Sequence, residues 1–176
     1  RYIPFLCKSD INVALQKPAP LFCVRRVNQK DTMNALPTGT VTFLFTDIEG
    51  STNLWEEFPE AMKAALAKHD SILKEAVESN HGQIVKTTGD GIHAVFTTAI
   101  DAINAAIQSQ HKLNSLILNY ELPITNLQSP ISSLSLKSRM GLHAGEAELR
   151  EGDYFGQTLN RAARIMSAGH GGQILI

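Results

Sequence analysis

The sequence predicts an α+β fold, a sheet of the split βαβ type with helices packed on it. A run of β-branched and aromatic residues over 40–46 predicts a buried first strand. Two further strands, over 83–88 and 92–96, flank a Gly-Asp-Gly turn and predict a hairpin. Segments with helical periodicity lie between these and later strands, so the predicted order is β-α-β-β-α-β-(β)-α-β. That order is the ferredoxin-like pattern with elaborations, cut short at the C-terminus.

The first half of the pattern has clear boundaries. Ser51 or Thr52 is a candidate cap for a short helical turn over 53–58. Pro59 suits the first turn of a longer helix, whose apolar residues recur at helical spacing up to Ser79. Glycine on both sides of Asp90 permits the positive φ that a tight turn needs.

The second half alternates helices with shorter strands. A helix is predicted over 98–118, then a long loop over 119–135 that contains two prolines and many Ser and Asn. A strand follows over 136–144, and residues 145–152 form a turn or a short edge strand. The last elements are a helix over 157–168 and a strand over 173–176.

Composition narrows the classes of function. The chain has 16 Lys and Arg against 17 Asp and Glu, a balance that argues against a basic nucleic-acid-binding face. No apolar run approaches the length of a membrane span. Cys7 and Cys23 show no disulfide or metal-type spacing, so we expect a reducing compartment, the cytoplasm.

The N-terminal segment lacks a sustained period. Residues 1–37 contain four prolines and are predicted to be loosely ordered, whereas residues 38–176 form the domain. The chain begins with Arg1, so we expect a fragment whose native domain starts near Met33. The preceding residues are then either a linker or upstream sequence outside the native product.

Asp47 and Asp90 are the first candidate site residues. Asp47 ends the first strand and Asp90 lies in the hairpin turn, and a split βαβ sheet places these two elements side by side. Two carboxylates with no basic residue beside them repel each other unless a cation lies between them. Oxygen ligands at a strand end suit Mg²⁺ or Mn²⁺. The alternative for each Asp is a turn or capping role.

Two other patterns are compatible with phosphate chemistry. Gly50, Ser51 and Thr52 open a helix, where free backbone N–H groups bind phosphate. Asn160 and Arg164 are four residues apart on one helix face and could bind a ribose and a phosphoryl group. On spacing alone, a solvated helix face is the favoured explanation of the second pattern.

Taken together, four segments resemble the class III adenylyl and guanylyl cyclase catalytic domain, in its bacterial form. They are residues 45–52 (FTDIEGST), 86–91 (KTTGDG), 139–146 (RMGLHAGE) and 153–164 (DYFGQTLNRAAR). The resemblance runs from about residue 39 to residue 176. It implies the cyclase fold, lacking the family's C-terminal strands and the triphosphate-binding Lys that they carry.

The resemblance also implies a role for each matching residue. Two Mg²⁺ or Mn²⁺ ions would be held by Asp47, the Ile48 carbonyl and Asp90. The purine would be read by Lys86 and Asp153, the ribose oriented by Asn160, and the phosphorus stabilised by Arg164. The family is a head-to-tail dimer, which implies a homodimer with shared active sites.

The base-reading pair favours ATP over GTP. Adenine presents an amino donor and a ring acceptor, which complement the Asp153 carboxylate and the Lys86 ammonium. Guanine would place an acceptor opposite Asp153. The expected reaction is therefore conversion of ATP to cyclic AMP and pyrophosphate.

Three alternatives to this reaction exist. The domain could be a nucleotide-binding regulatory module without turnover, or a guanylyl cyclase. Synthesis of cyclic dinucleotides is less favoured, because the sequence lacks a Gly-Gly-Asp/Glu-Glu-Phe signature.

Overall fold

The structure is a computed structural model that describes residues 36–116 and 136–176. The predictions for residues 1–35 and for the 119–135 loop lie outside the described residues. The elements, in chain order, are β1 (Gly39–Ile48), α1 (Ser51–Glu57), α2 (Pro59–Ser79), β2 (Gln83–Thr87), β3 (Ile92–Phe96), α3 (Ala99–Ser115), β4 (Ser138–Arg150), β5 (Asp153–Phe155), α4 (Gln157–Ala168) and β6 (Ile174–Leu175).

The strands form one mixed sheet in the order β2-β3-β1-β4-β5, with β6 paired to β4. All neighbours are antiparallel except β4 and β6, which run parallel. The first strand therefore lies in the middle, directly beside the β2–β3 hairpin. This arrangement confirms the predicted sheet with helices packed on it.

Successive side chains of β1 point to opposite faces of the sheet, so the strand contributes to a hydrophobic cluster on each face. Leu44 belongs to one cluster, which α2 and α3 cover with residues such as Leu73 and Ala106. Phe43 and Phe45 belong to the opposite cluster, which contains residues of α4 and β5. The strand is buried on both faces, in agreement with its continuous apolar sequence.

Helix α4 packs very closely on β4. A Cβ added at Gly141 would lie 2.3 Å from the backbone nitrogen of Met166, so only glycine fits at this contact. The buried Ala162 faces the sheet, whereas Asn160 and Arg164 are exposed. The sequence-predicted helix over 157–168 is confirmed with the same bounds.

Two local predictions were wrong. Gly50, with φ 70°, is the N-cap of α1, and no side chain provides a capping hydrogen bond, so Ser51 and Thr52 do not cap it. Strand β4 continues to Arg150, where a turn or short edge strand was expected from residue 145. It continues because its partners extend: β1 pairs with it as far as Ala147, and β5 pairs with it from Glu148.

Among the described residues, no helix combines the length and the apolar character needed to cross a membrane.

Candidate functional site

Asp47 and the turn that carries Asp90 meet at one end of the sheet. A Cβ added at Gly91 would lie 1.9 Å from the Thr46 carbonyl oxygen, so the turn rests directly on the backbone of β1. The Ile92 N–H donates a hydrogen bond of 3.0 Å to the Thr46 hydroxyl. The turn that carries Asp90 therefore lies against the end of β1 that carries Asp47, and a cation site shared by the two carboxylates stays a prediction.

A basic residue nevertheless lies beside Asp47. Arg139 is its cross-strand neighbour on β4 and donates from Nε and Nη2 to Asp47 Oδ2, at 2.8 and 2.5 Å. The expectation of two carboxylates without a basic neighbour was therefore wrong. The motif that contains Arg139 was noted in the sequence, but only the strand register reveals its partner.

The donor set at this end suits a hard cation. Carboxylate and backbone oxygens are the ligands that Mg²⁺ and Mn²⁺ prefer. No cluster of three or more acidic, His or Cys side chains with metal-binding geometry occurs in the described part of the chain. Two carboxylates leave most of an octahedral shell to water and phosphate oxygens, which is typical of magnesium sites that act on nucleotides.

Lys86 and Asp153 are joined directly. Lys86 Nζ lies 2.7 Å from Asp153 Oδ2, although the two strands are at opposite edges of the sheet order. Tyr154, the residue after Asp153, packs edge-on against Phe43 with ring centroids 5.1 Å apart. This contact places the β4–β5 end over the face of the sheet that carries Phe43. The Lys86 hydrogen bond holds the pKa of Asp153 below its usual value.

A β-bulge directs Lys86 toward this partner. Ile84 pairs with Ala94, but Lys86 pairs with His93, so Val85 is the extra residue. Val85, Lys86 and Asp153 consequently line the same crevice. Without the bulge, Lys86 would be placed opposite Ile92, whose side chain belongs to the other face of the sheet.

The β5 end of the crevice is fixed by backbone contacts. The Tyr154 N–H donates to Asp153 Oδ1 at 2.8 Å, and the Tyr154 hydroxyl donates to the Pro37 carbonyl at 2.5 Å. Burial raises the pKa of Tyr154 to about 12, so this hydroxyl stays protonated and remains a donor. Asp153 is thereby held in one orientation toward Lys86.

The remaining candidates occupy separate places. Asn160 and Arg164 share an exposed face of α4, and no contact described for residues 36–116 and 136–176 links them to either carboxylate or to Lys86. Ile48 has a buried side chain packed with Met62, and Gly50 is the N-cap of α1. The metal role of the Ile48 carbonyl and the phosphate role of residues 50–52 stay predictions.

Glu49 adds an acidic group that sequence reasoning did not single out. Its carboxylate lies 3.4 Å from Nδ1 of His170, and a Cβ at Gly171 would approach it to 2.8 Å. The loop before β6 therefore rests against the segment that carries the candidate metal ligand Asp47.

Comparison with known proteins identifies the family. The sequence profile described as adenylate and guanylate cyclase catalytic domain matches residues 33–176. This chain belongs to that family, and the resemblance drawn from its motifs is confirmed.

Relatives of the chain include bacterial and fungal proteins. An uncharacterised protein of Mycobacterium tuberculosis is 38% identical over 143 residues, covering 80% of this chain and 43% of the relative. A protein named adenylate cyclase from Podospora anserina is 35% identical over 153 residues, covering 80% of this chain and 7% of the relative. The chain therefore spans less than half the length of either relative.

Solved structures confirm the fold. A Trypanosoma brucei adenylate cyclase structure, described as monomeric, aligns with a TM-score of 0.69 and 27% identity, covering 81% of this chain and 74% of that one. An adenylate/guanylate cyclase/hydrolase from Silicibacter pomeroyi aligns with a TM-score of 0.58 and 28% identity, covering 77% and 73%.

Proposed function

We propose that this chain is the catalytic domain of a class III adenylate cyclase, which converts ATP to cyclic AMP and pyrophosphate for intracellular signalling. The ribose 3′-oxygen would attack the α-phosphorus, and the bond from that phosphorus to the bridging oxygen of pyrophosphate would break. The observation that carries the choice of ATP is the direct contact between Lys86 and Asp153.

This pair presents one donor and one acceptor side by side. Lys86 Nζ has further N–H groups, and Asp153 has further lone pairs, so both can bind a base while they remain paired. Adenine offers a ring acceptor to Lys86 and an amino donor to Asp153. Asp153 is an ionised acceptor at neutral pH, with a pKa that the Lys86 hydrogen bond lowers further, and such an acceptor disfavours the guanine carbonyl oxygen.

Asp47 and Asp90 would hold two Mg²⁺ or Mn²⁺ ions, with the Ile48 carbonyl assisting. Bound there, the ions would lower the pKa of the ribose hydroxyl and offset phosphate charge. Arg139 pairs with Oδ2 of Asp47, so a cation would bind through Oδ1 or displace this ion pair. Gly50, Ser51 and Thr52, at the start of α1, would bind phosphate oxygens through their backbone N–H groups.

A homodimer would complete the site. Asn160 and Arg164 are exposed on α4. They could therefore contact a substrate that is bound to the carboxylates of a second copy of the chain. Asn160 would orient the ribose, and Arg164 would stabilise charge on the transferring phosphoryl group. The carboxylates of one copy would then face the base-reading pair and the α4 residues of the other. We propose a cytoplasmic location for the domain.

The test is cyclic nucleotide formation by the purified full-length protein that carries this chain. ATP or GTP is supplied with Mn²⁺, and the Asp47→Ala variant is the control. Cyclic AMP from the parent and none from the control supports the proposal. More cyclic GMP than cyclic AMP would instead identify a guanylate cyclase.

A nucleotide-binding module without turnover is the second candidate. The Asp47–Arg139 ion pair favours it, because a carboxylate neutralised within its own chain does not depend on a cation. A folded, dimeric parent that binds ATP but releases no cyclic product would establish this alternative.

A further inference from the structure

We propose that His93 is a third base-binding residue, which forms a hydrogen bond with the purine beside Lys86 and Asp153. The inference rests on the proposed function, because it assigns a role within the same nucleotide site. It depends on three properties of His93: its position, its unpaired ring nitrogen and its contact with Phe45.

His93 lies in the crevice that Lys86 and Asp153 also line. It is the cross-strand neighbour of Lys86 on one side and of Phe45 on the other. Its ring stacks on the Phe45 ring with centroids 3.8 Å apart and planes 19° apart, which fixes its orientation. His93, Phe45, Lys86 and Asp153 all line one crevice.

The Nδ1 atom of His93 is buried and has no hydrogen-bond partner among the residues that the structure describes. Either tautomer leaves this nitrogen with an unmet donor or acceptor. The crevice is too narrow to hold a water molecule that could serve as partner. A buried polar atom without a partner lowers stability, so a ligand that supplies one would stabilise this part of the crevice.

A purine entering this crevice supplies the missing partner. Burial, and then the nearby Lys86 charge, lower the pKa of His93, so its ring is neutral at physiological pH. A neutral imidazole offers one donor and one acceptor, and purine edges carry both kinds of group. The crevice has to widen to admit the base, and the unpaired Nδ1 then gains a hydrogen bond that the free protein lacks.

Two substitutions separate this role from simple packing. His93→Leu keeps an apolar side chain against Phe45 and removes both ring nitrogens. His93→Asn places a polar atom near the position of Nδ1. His143→Leu is the matched control, since His143 is another half-buried strand histidine.

The measurements use the full-length protein, with 3′-deoxy-ATP as the probe because it lacks the attacking hydroxyl and cannot cyclise. We expect His93→Leu to raise the Kd by roughly tenfold, the value of one hydrogen bond of ordinary strength. We expect His93→Asn to recover most of this loss, and His143→Leu to bind as the parent does. The thermal midpoint of His93→Leu should equal or exceed that of the parent, because an unpaired buried atom is removed.

An unchanged Kd in His93→Leu, or equal weakening in the Leu and Asn variants, would overturn the role of His93. The proposed function is judged separately, from product formed by the parent. A parent that binds 3′-deoxy-ATP but makes no cyclic product rejects the cyclase and still tests His93 through the Kd. A parent that neither binds the probe nor forms a cyclic product rejects both.

Discussion

Arg139 donates two hydrogen bonds to a single oxygen of Asp47, and the side chains of both residues are partly buried, with exposures of 29% and 24%. The pair forms because the two residues are direct cross-strand neighbours on β4 and β1. Since Asp47 is the proposed metal ligand, Arg139 and the cation compete for the same carboxylate.

Replacing Arg139 with Met should strengthen metal binding in the absence of nucleotide. The substitution removes the competing charge and keeps an apolar stem of similar length. We expect the Kd for Mn²⁺, measured by the paramagnetic resonance of free Mn²⁺, to fall several-fold. The same variant should lose about 1–3 kcal/mol of stability, since a half-buried charge loses its partner.

Arg161→Met is the control for the Arg139 experiment, because Arg161 is an exposed arginine on α4. An Arg139→Met protein whose Mn²⁺ affinity equals that of the parent would show that the ion pair does not restrict the metal site.

Replacing Gly91 with Ala should destabilise the protein much more than replacing Gly89 with Ala. At Gly91 the added Cβ would lie 1.9 Å from the Thr46 carbonyl oxygen, a rigid backbone atom, so the turn has to move away from β1. At Gly89 the space is open, and only its φ of 87° is unfavourable. We expect Gly91→Ala to cost more than about 3 kcal/mol and Gly89→Ala about 1 kcal/mol.

Urea unfolding measures both of these free energies, and Mn²⁺ binding shows whether the turn still presents Asp90. Equal destabilisation in the two variants would mean that the contact between the turn and Thr46 does not hold the site together.

The sequence predicted the sheet because its strongest signals are local. The apolar run of β1 and the spacing of α2 each specify an element without reference to the rest of the chain. The extension of β4 to Arg150 was missed, because its last residues pair with β1 and β5, and such long-range pairing leaves no mark on local periodicity.

The sequence motifs predicted which residues belong to the candidate site, but they did not predict the contacts between those residues. Asp47, Asp90, Lys86 and Asp153 were all recognised from motifs, and the structure places them in two groups. The bulge at Val85 depends on the register between β2 and β3, so the sequence could not reveal that Lys86 lies next to His93. The Asp47–Arg139 pair was hidden for the same reason.

Asp153→Asn should weaken the preference for ATP. The Asn side-chain oxygen can still accept the Tyr154 N–H, so the local turn is retained. Its amide group, however, donates toward the guanine carbonyl and no longer accepts from the adenine amino group. We expect kcat/KM for ATP to fall roughly tenfold or more, and that for GTP to fall less or to rise.

Cyclic AMP and cyclic GMP formed by parent and variant, with equal ATP and GTP supplied, provide the measurement. A variant that loses both products in the same proportion would show that Asp153 supports the fold of the crevice and does not distinguish the bases.

Acidification from about pH 7.5 to about pH 5.5 should destabilise the protein partly through His93. In the folded state burial lowers the pKa of His93 below its ordinary value of 6.5. As the pH falls through that ordinary value, the unfolded chain binds a proton that the folded chain does not, so the free energy of unfolding decreases. Asp153 has a lowered pKa, and its contribution is lost only at still lower pH.

Comparison with His93→Leu isolates this effect. His69 is also buried with a lowered pKa, but it is present in both proteins and cancels in the difference. We expect urea unfolding to show a smaller loss of stability over this interval for His93→Leu than for the parent. Parallel losses in the two proteins would show that His93 takes up its proton equally in the folded and unfolded states, in which case burial and the Lys86 charge do not keep the imidazole neutral.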